Sequence, residues 1–364
     1  MGERAMEVIV GTNEEFILGY QINETEDGTL KFKQSFTNHS HQGSLRKIAV
    51  SGKFLLSGGT DEVIRVFNLN RRNEVGLIME HQGTISNITF FETSHLFSTA
   101  EDGNICIFKR GTWLCEKTLK AHNGGITGLS VHPSGKLAIS VGRDKTMKTW
   151  NLIKGRRAYI TNIGKIADSV HWTPSGTQFL VVTEGVLDLY EVDTGKIVHT
   201  VDFKQRVNSV KFINNDVVVL GSEGGSICLY NIEKQKQVGH WEAHNNRVKA
   251  ICIYTHTEEC KWIFSTSSDG SIKVWSLQLS EIIDNLENKP KLLGEVNTTC
   301  RNICMDISIP NKIVKKEKKK RHRLAKEESL SDMNETSSPE KESIKNKDNL
   351  IEPSSLKKQK VSFN

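Results

Sequence analysis

The chain has 364 residues, of which 37% are hydrophobic, and its formal net charge is +6. No run of about 20 apolar residues is present, so no membrane partner is expected. The opening stretch MGERAMEVIV lacks the apolar segment of a signal peptide. Residues 311–364 contain 15 Lys and Arg against 9 Asp and Glu, so this tail carries the whole positive excess.

The first pattern along the chain is a recurring aromatic residue. The intervals are 47, 41, 42, 40, 40 and 45 residues, between Tyr20, Phe67, Phe108, Trp150, Tyr190, Tyr230 and Trp275. A period of about 40–45 residues is typical of one four-stranded blade of a β-propeller. We therefore predict an all-β, seven-bladed propeller over residues 1–310, followed by a disordered lysine-rich tail over residues 311–364.

The two ends of the predicted ring are expected to share a blade. Residues 7–11, 16–20 and 30–32 form short apolar runs that predict the second, third and outer strands of that blade. Residues 301–307 supply the missing inner strand. Pairing of the chain start with the chain end would remove the exposed sheet edges.

Four repeats also share a polar register. In each, a His is followed by a Ser, an Asp four residues after the Ser, and an aromatic residue six residues after the Asp. These sets are His41, Ser57, Asp61 and Phe67; His81, Ser98, Asp102 and Phe108; His122, Ser140, Asp144 and Trp150; and His244, Ser265, Asp269 and Trp275. The register resembles that of WD40 repeats, in which these side chains form a hydrogen-bonded network within each blade.

A Ser–His–Asp set also invites comparison with a catalytic triad. The fourfold repetition favours a structural role, because a hydrolase needs one triad. The seven cysteines include no CxxC pair and suit reduced thiols. We therefore predict no enzymatic activity, no cofactor and no metal site.

A second set of residues lies just before the inner strands. In blades four to seven this position is assigned to Lys165, Arg206, Arg247 and Arg301, and Arg143 and Arg46 extend the set. We refer to these six residues as the arc. Four adjacent cations at the rim of the top face predict binding of an acidic partner, either RNA phosphate or an acidic peptide. The alternative is an ordinary solvated rim.

The tail begins with a basic cluster that is typical of a nuclear import signal or an RNA-contacting arm. Its residues are Lys315, Lys316, Lys318, Lys319, Lys320, Arg321 and Arg323. The alternative is a tail that only increases solubility.

Several stretches are similar to a narrower family. They read SGKFLLSGGTDEVIRVFNL, AEDGNICIF, KAHNGGITGLSVHPSGKLAISVGRDKTMKTWNL, AHNNRVKAI and SSDGSIKVW. Together with the basic tail, they resemble the PAK-interacting WD-repeat proteins, the animal relatives of the yeast MAK-type nucleolar WD protein, over residues 7–310.

This resemblance implies nucleolar localisation and a part in assembly of the large (60S) ribosomal subunit, including maturation of pre-rRNA. The implied partners are ribosome-assembly proteins, pre-60S particles and pre-rRNA. It also implies an alternative, negative regulation of p21-activated kinases through their regulatory region. A third function, as substrate adaptor of a ubiquitin ligase, has no sequence feature in its favour.

Overall fold

The computed structural model describes residues 5–280 and 289–309. The predicted tail, 311–364, lies outside the described residues. The described chain forms 28 strands in seven antiparallel four-stranded sheets, which confirms the predicted seven-bladed propeller. No helix among these residues is long and apolar enough to cross a membrane.

Six blades are built from consecutive strands, numbered outward from the channel at the centre of the ring. Blades one to three comprise β4 (Leu45–Ser51), β5 (Phe54–Gly59), β6 (Ile64–Asn68), β7 (Asn73–Ile78); β8 (Ile85–Phe91), β9 (His95–Ala100), β10 (Asn104–Lys109), β11 (Cys115–Lys120); β12 (Ile126–Val131), β13 (Leu137–Gly142), β14 (Thr146–Asn151) and β15 (Arg156–Asn162). Blades four to six comprise β16 (Ser169–Trp172), β17 (Gln178–Thr183), β18 (Val186–Glu191), β19 (Ile197–Asp202); β20 (Val207–Phe212), β21 (Val217–Ser222), β22 (Ser226–Asn231), β23 (Lys236–Glu242); β24 (Val248–Thr255), β25 (Cys260–Ser267), β26 (Ser271–Gln278) and β27 (Lys291–Asn297).

Blade seven joins the two ends of the propeller. Its strands are β28 (Asn302–Ser308), β1 (Glu7–Thr12), β2 (Ile17–Glu24) and β3 (Leu30–Asn38). The inner strand β28 pairs with β1, with Glu7 opposite Ser308 and Val10 opposite Met305. The predicted closure by residues 301–307 is thereby confirmed, with the strand beginning one residue later.

The periodic aromatic residues mark a repeated irregularity. In every blade the register between the third and outer strands shifts at the aromatic residue, as at Gly19/Tyr20 and Thr149/Trp150. A β-bulge bends and twists the strand, and all seven aromatic side chains are buried. A large apolar group at each bend explains why the blade period is visible in the sequence.

The inner strands carry a second bulge near their first residue, as between Leu45 and Lys47 or Val207 and Ser209. Blade four is the exception, because β16 begins only at Ser169. Its paired residue Val170 aligns with Val210 of blade five, so the counterpart of Arg206 is Ile166.

The assignment of Lys165 to the arc position was therefore wrong by one residue. Ile166 was taken as the apolar start of the strand, but Ala167 is the residue that is fully buried. Ile166 is 44% exposed.

Candidate functional site

The His, Ser and Asp side chains of each set lie close together, and blade three has the most complete network. In blade three, His122 donates from Nδ1 to Asp144 over 2.8 Å and accepts at Nε2 from the Ser140 hydroxyl over 2.8 Å. The Trp150 indole N–H donates to the same hydroxyl oxygen over 2.9 Å. The network thus runs from Asp through His and Ser to Trp, and the carboxylate fixes the imidazole tautomer.

Blades one and two repeat this arrangement without the indole. Nδ1 of His41 lies 2.8 Å from Asp61, and Nδ1 of His81 lies 3.0 Å from Asp102. Their Nε2 atoms each lie 2.7 Å from the hydroxyl of Ser57 or Ser98. The rings of Phe67 and Phe108 have no N–H, so these networks end at the serine.

Blade six departs from the expected geometry. Nδ1 of His244 is 4.0 Å from Asp269, and the Ser271 hydroxyl bridges them at 2.6 Å from the imidazole and 2.5 Å from the carboxylate. The other half is regular, since Ser265 contacts Nε2 of His244 and accepts from the Trp275 indole N–H at 3.0 Å. Ser271 was missed in the sequence, although a hydroxyl two residues after the Asp also occurs in blade three.

These networks predict loss of stability in acid. Burial lowers the pKa of His122 and lowers that of His244 to about 4. As the pH decreases, these histidines take up protons in the unfolded state before they do so in the folded state. Their contribution to stability is therefore full above about pH 6.5 and is lost as the pH falls towards the pKa values of the folded state. Burial raises the pKa of Asp102, Asp144 and Asp269, but their hydrogen bonds outweigh it and leave each pKa below its ordinary value. The loss of stability therefore continues below about pH 4.

The urea concentration at the denaturation midpoint should accordingly be lower at about pH 5 than at about pH 7.5. A His244→Gln variant should show a shallower pH dependence, because one of the titrating imidazoles is removed. Equal midpoints for the unsubstituted chain at both pH values would contradict this account.

The same geometry bears on the catalytic alternative. The hydroxyl-bearing residues Ser57, Ser98, Ser140 and Ser265 are all 0% exposed. A nucleophile must reach its substrate, and these serines are enclosed within the blades. The sets therefore hold the blades together, in keeping with a fold that typically serves as a non-catalytic scaffold.

The arc residues lie at the same face as the networks. Backbone bonds tie the turn between the second and third strands to the residue before the inner strand, as from Glu223 N to Arg206 O and from Arg143 N to Gly125 O. Five of the six arc cations are exposed, and Arg247 is half-buried.

Three of the arc cations are paired with carboxylates. Arg143 contacts Glu101 at 2.9 Å, Arg206 contacts Asp168 at 2.6 Å, and Arg247 contacts Glu223 at 3.4 Å. Each carboxylate belongs to the preceding blade, and the first two pairs are separated by 42 and 38 residues. A search at the blade period could have found these two pairs in the sequence. The arc is therefore less positive than its cations alone imply.

A smaller basic group lies where blades six, seven and one meet, although its Arg247 is paired with Glu223. Arg46, Arg247, Lys249 and Arg301 form what we call the rim cluster. Partial burial, followed by the charges of Arg247 and Arg301, lowers the pKa of Lys249; the charge of Glu223 opposes this and that of Arg46 adds to it. These cations therefore act on one another, and Lys249 was not recognised in the sequence.

The predicted nuclear-import residues, 315–323, lie outside the described residues. Their role stays a prediction.

Comparison with known proteins agrees with this architecture. The family described as "WD domain, G-beta repeat" matches residues 113–151 and 235–276. The "p21-activated protein kinase-interacting protein 1-like" of Danio rerio is 39% identical over 310 residues, covering 85% of this chain and 82% of that protein.

The human "p21-activated protein kinase-interacting protein 1" is 34% identical, covering 83% of this chain and 77% of its own length. "Protein MAK11" of Saccharomyces cerevisiae is 26% identical, covering 75% and 78%. With its seven-bladed propeller, its WD-type repeats and similarity along most of its length, the chain belongs to the family of p21-activated protein kinase-interacting protein 1.

Proposed function

We propose that this protein is a non-enzymatic scaffold in nucleolar assembly of the large ribosomal subunit and in pre-rRNA processing. In this proposal the rim cluster binds an acidic surface of the assembling particle, such as pre-rRNA phosphate. The observation that carries it is that Arg46, Arg247, Lys249 and Arg301 lie at the starts of three adjacent inner strands, β4, β24 and β28. Such a one-sided field favours association with anions.

Two further observations support this function. The chain is similar to "Protein MAK11" over most of its length, and its sequence motifs resemble those of nucleolar WD proteins. Nuclear and nucleolar localisation, with pre-60S particles and assembly proteins as partners, belongs to the same proposal.

A charge-reversal variant tests the rim cluster. Arg46, Arg247 and Arg301 are changed together to Glu, and nuclear extract is sedimented on a gradient to follow association with large-subunit precursors. We expect the variant to leave the precursor fractions, because the potential of the rim changes sign while the buried cores are untouched. Association of the unsubstituted chain should weaken as salt rises.

The matched control reverses three exposed lysines on outer strands, Lys31, Lys33 and Lys236. Its net charge equals that of the rim variant, but its rim cluster is intact. It should therefore still sediment with the precursors. Continued co-migration of the folded rim variant would show that this rim is an ordinary solvated surface.

The alternative is negative regulation of p21-activated kinase signalling by binding the kinase regulatory region. The observation in its favour is the printed name of the animal relatives. Binding of the purified chain to a recombinant kinase regulatory region, together with inhibition of kinase activity, would support it. Precursor association without such binding favours the assembly function.

The basic tail provides a separate prediction about localisation. Deletion of residues 315–323 should reduce nuclear or nucleolar accumulation of a tagged chain, because the deletion removes seven cations that match an import signal. Fluorescence microscopy measures the effect, and deletion of 329–337 serves as a control of equal length. A 315–323 deletion that still concentrates in nucleoli would show that the propeller carries the address.

A further inference from the structure

The inner strands of the seven blades surround a central channel of about 780 Å³. Its wall carries Lys47, Lys211, Lys249 and Arg46, together with His171 and Asp306. Lys47 comes from blade one, Lys211 from blade five and Lys249 from blade six. Cations therefore approach the same space from separate blades.

The positive charges of this wall are not balanced by its carboxylates. Within residues 5–280 and 289–309, no ion pair involves Arg46, Lys47, Lys211 or Lys249. Asp306 accepts from the backbone N–H groups of Val50 at 2.6 Å and Ile307 at 2.8 Å.

The other lining carboxylate, Glu101, is paired with Arg143. The wall therefore has four cations without a partner among the described residues. Such a surplus favours a multiply charged anion.

The channel cations act on their neighbours. Enclosure, followed by the charges of Lys211 and Lys47, lowers the pKa of His171 to about 3. The imidazole is therefore neutral at physiological pH and adds no charge. Enclosure, followed by the charge of Lys211, also lowers the pKa of Lys47. Both lysine side chains are nevertheless exposed to the channel space, where a ligand could reach them.

We propose that the channel binds a compact organic or inorganic polyphosphate, with Lys47 and Lys211 as its principal contacts. The volume lies within the range of small-molecule sites, about 300–1,000 Å³. Ammonium groups on flexible stems bind phosphate as point charges. Cations from several blades suit a ligand that bears several phosphoryl groups. Arg46 and Lys249 also belong to the rim cluster, but Lys47 and Lys211 do not. Variants of these two lysines therefore test the channel separately from the proposed assembly function.

Calorimetric titration of the full-length chain tests the proposal. The probes are inositol hexakisphosphate, ATP and tripolyphosphate, with inorganic phosphate as a singly phosphorylated comparison. We expect at least one polyphosphate to bind with a single site per chain and to raise the thermal midpoint. The three probes distinguish an inositol polyphosphate, a nucleotide and an inorganic chain as the source of the phosphoryl groups.

The decisive comparison uses two double variants. Lys47→Gln with Lys211→Gln should weaken binding at least about tenfold, because two charged contacts are lost. Lys31→Gln with Lys33→Gln removes the same charge from an outer strand and should bind as the unsubstituted chain does. The proposal would be overturned if both double variants lost the same affinity for polyphosphate, or if the channel variant bound as tightly as the unsubstituted chain. Either result would assign binding to the tail or the outer surface.

A second measurement does not depend on the folding of any variant. Acetylation of lysines in the unsubstituted chain is mapped by mass spectrometry with and without the bound probe. Lys47 and Lys211 should be protected by the polyphosphate, whereas Lys31 and Lys33 should react equally in both samples. Unprotected channel lysines in a saturated sample contradict the proposal. The proposal is also contradicted if an acidic peptide protects these lysines from acetylation and none of the polyphosphates does. The ligand class would then be acidic peptides.

Discussion

A chain that ends at Cys300 should lose most of its folding free energy, roughly 5 kcal/mol or more, because it lacks the closing strand β28. This strand pairs with β1 along its whole length and buries Cys304 and Met305 between blades. Its loss also removes the Asp306 carboxylate that accepts from the Val50 amide in blade one. Chemical denaturation should show a lower midpoint or no cooperative transition.

The matched control is a chain that ends at residue 311. It lacks the tail but keeps β28, so its denaturation midpoint should equal that of the full chain. If the two truncated chains unfold alike, closure by β28 contributes little and the ring is stable with six complete blades.

Asp144→Ala should destabilise the fold by about 3 kcal/mol. The carboxylate accepts from His122 at 2.8 Å, from the Thr146 hydroxyl at 2.7 Å and from the backbone N–H of Asn123 at 3.2 Å. It also lies 3.4 Å from Nζ of Lys148, whose side chain is buried. Without Asp144, the carbonyl of Ala121 is the one partner that this ammonium keeps among residues 5–280 and 289–309.

Glu184→Ala is the comparison for this variant. Glu184 is exposed, and the bond at this residue runs from its backbone N–H to Asp168 at 2.8 Å. Alanine retains that bond and the same positive φ of 57°, so the change should stay within about 0.5 kcal/mol. Similar urea midpoints for the two variants would show that the network in blade three is dispensable.

The sequence identified the features that repeat with the blade. The aromatic residues recur because each fills a bulge, and the His–Ser–Asp sets recur because each buried imidazole needs partners at both nitrogens. Closure by residues 301–307 could be inferred because the N-terminal strands of blade seven lacked an inner strand. These inferences use distances along one strand or between neighbouring strands.

Other features depend on contacts between blades. The pairing of Arg247 with Glu223 reduces the charge of the predicted arc, and this carboxylate stands neither beside its cation nor one blade period away in the sequence. Blade four was misaligned because Ile166 is more apolar than Ala167 but lies outside the strand. Lys47 and Lys211 face the channel only once the ring has closed.

Ring closure also has a consequence during synthesis, because the blade that closes the ring needs strands from both ends of the propeller. Strand β1 leaves the ribosome early, but its partner β28 follows roughly 300 residues later. At a synthesis rate of about 5–20 residues per second, the inner edge of β1 stays unpaired for roughly 15–60 s before β28 is made. During that interval its apolar residues Val8, Ile9 and Val10, all 0% exposed in the finished ring, stand at an open sheet edge. The newborn chain therefore passes through a period of vulnerability to wrong pairing that ends with one of the last strands to be made.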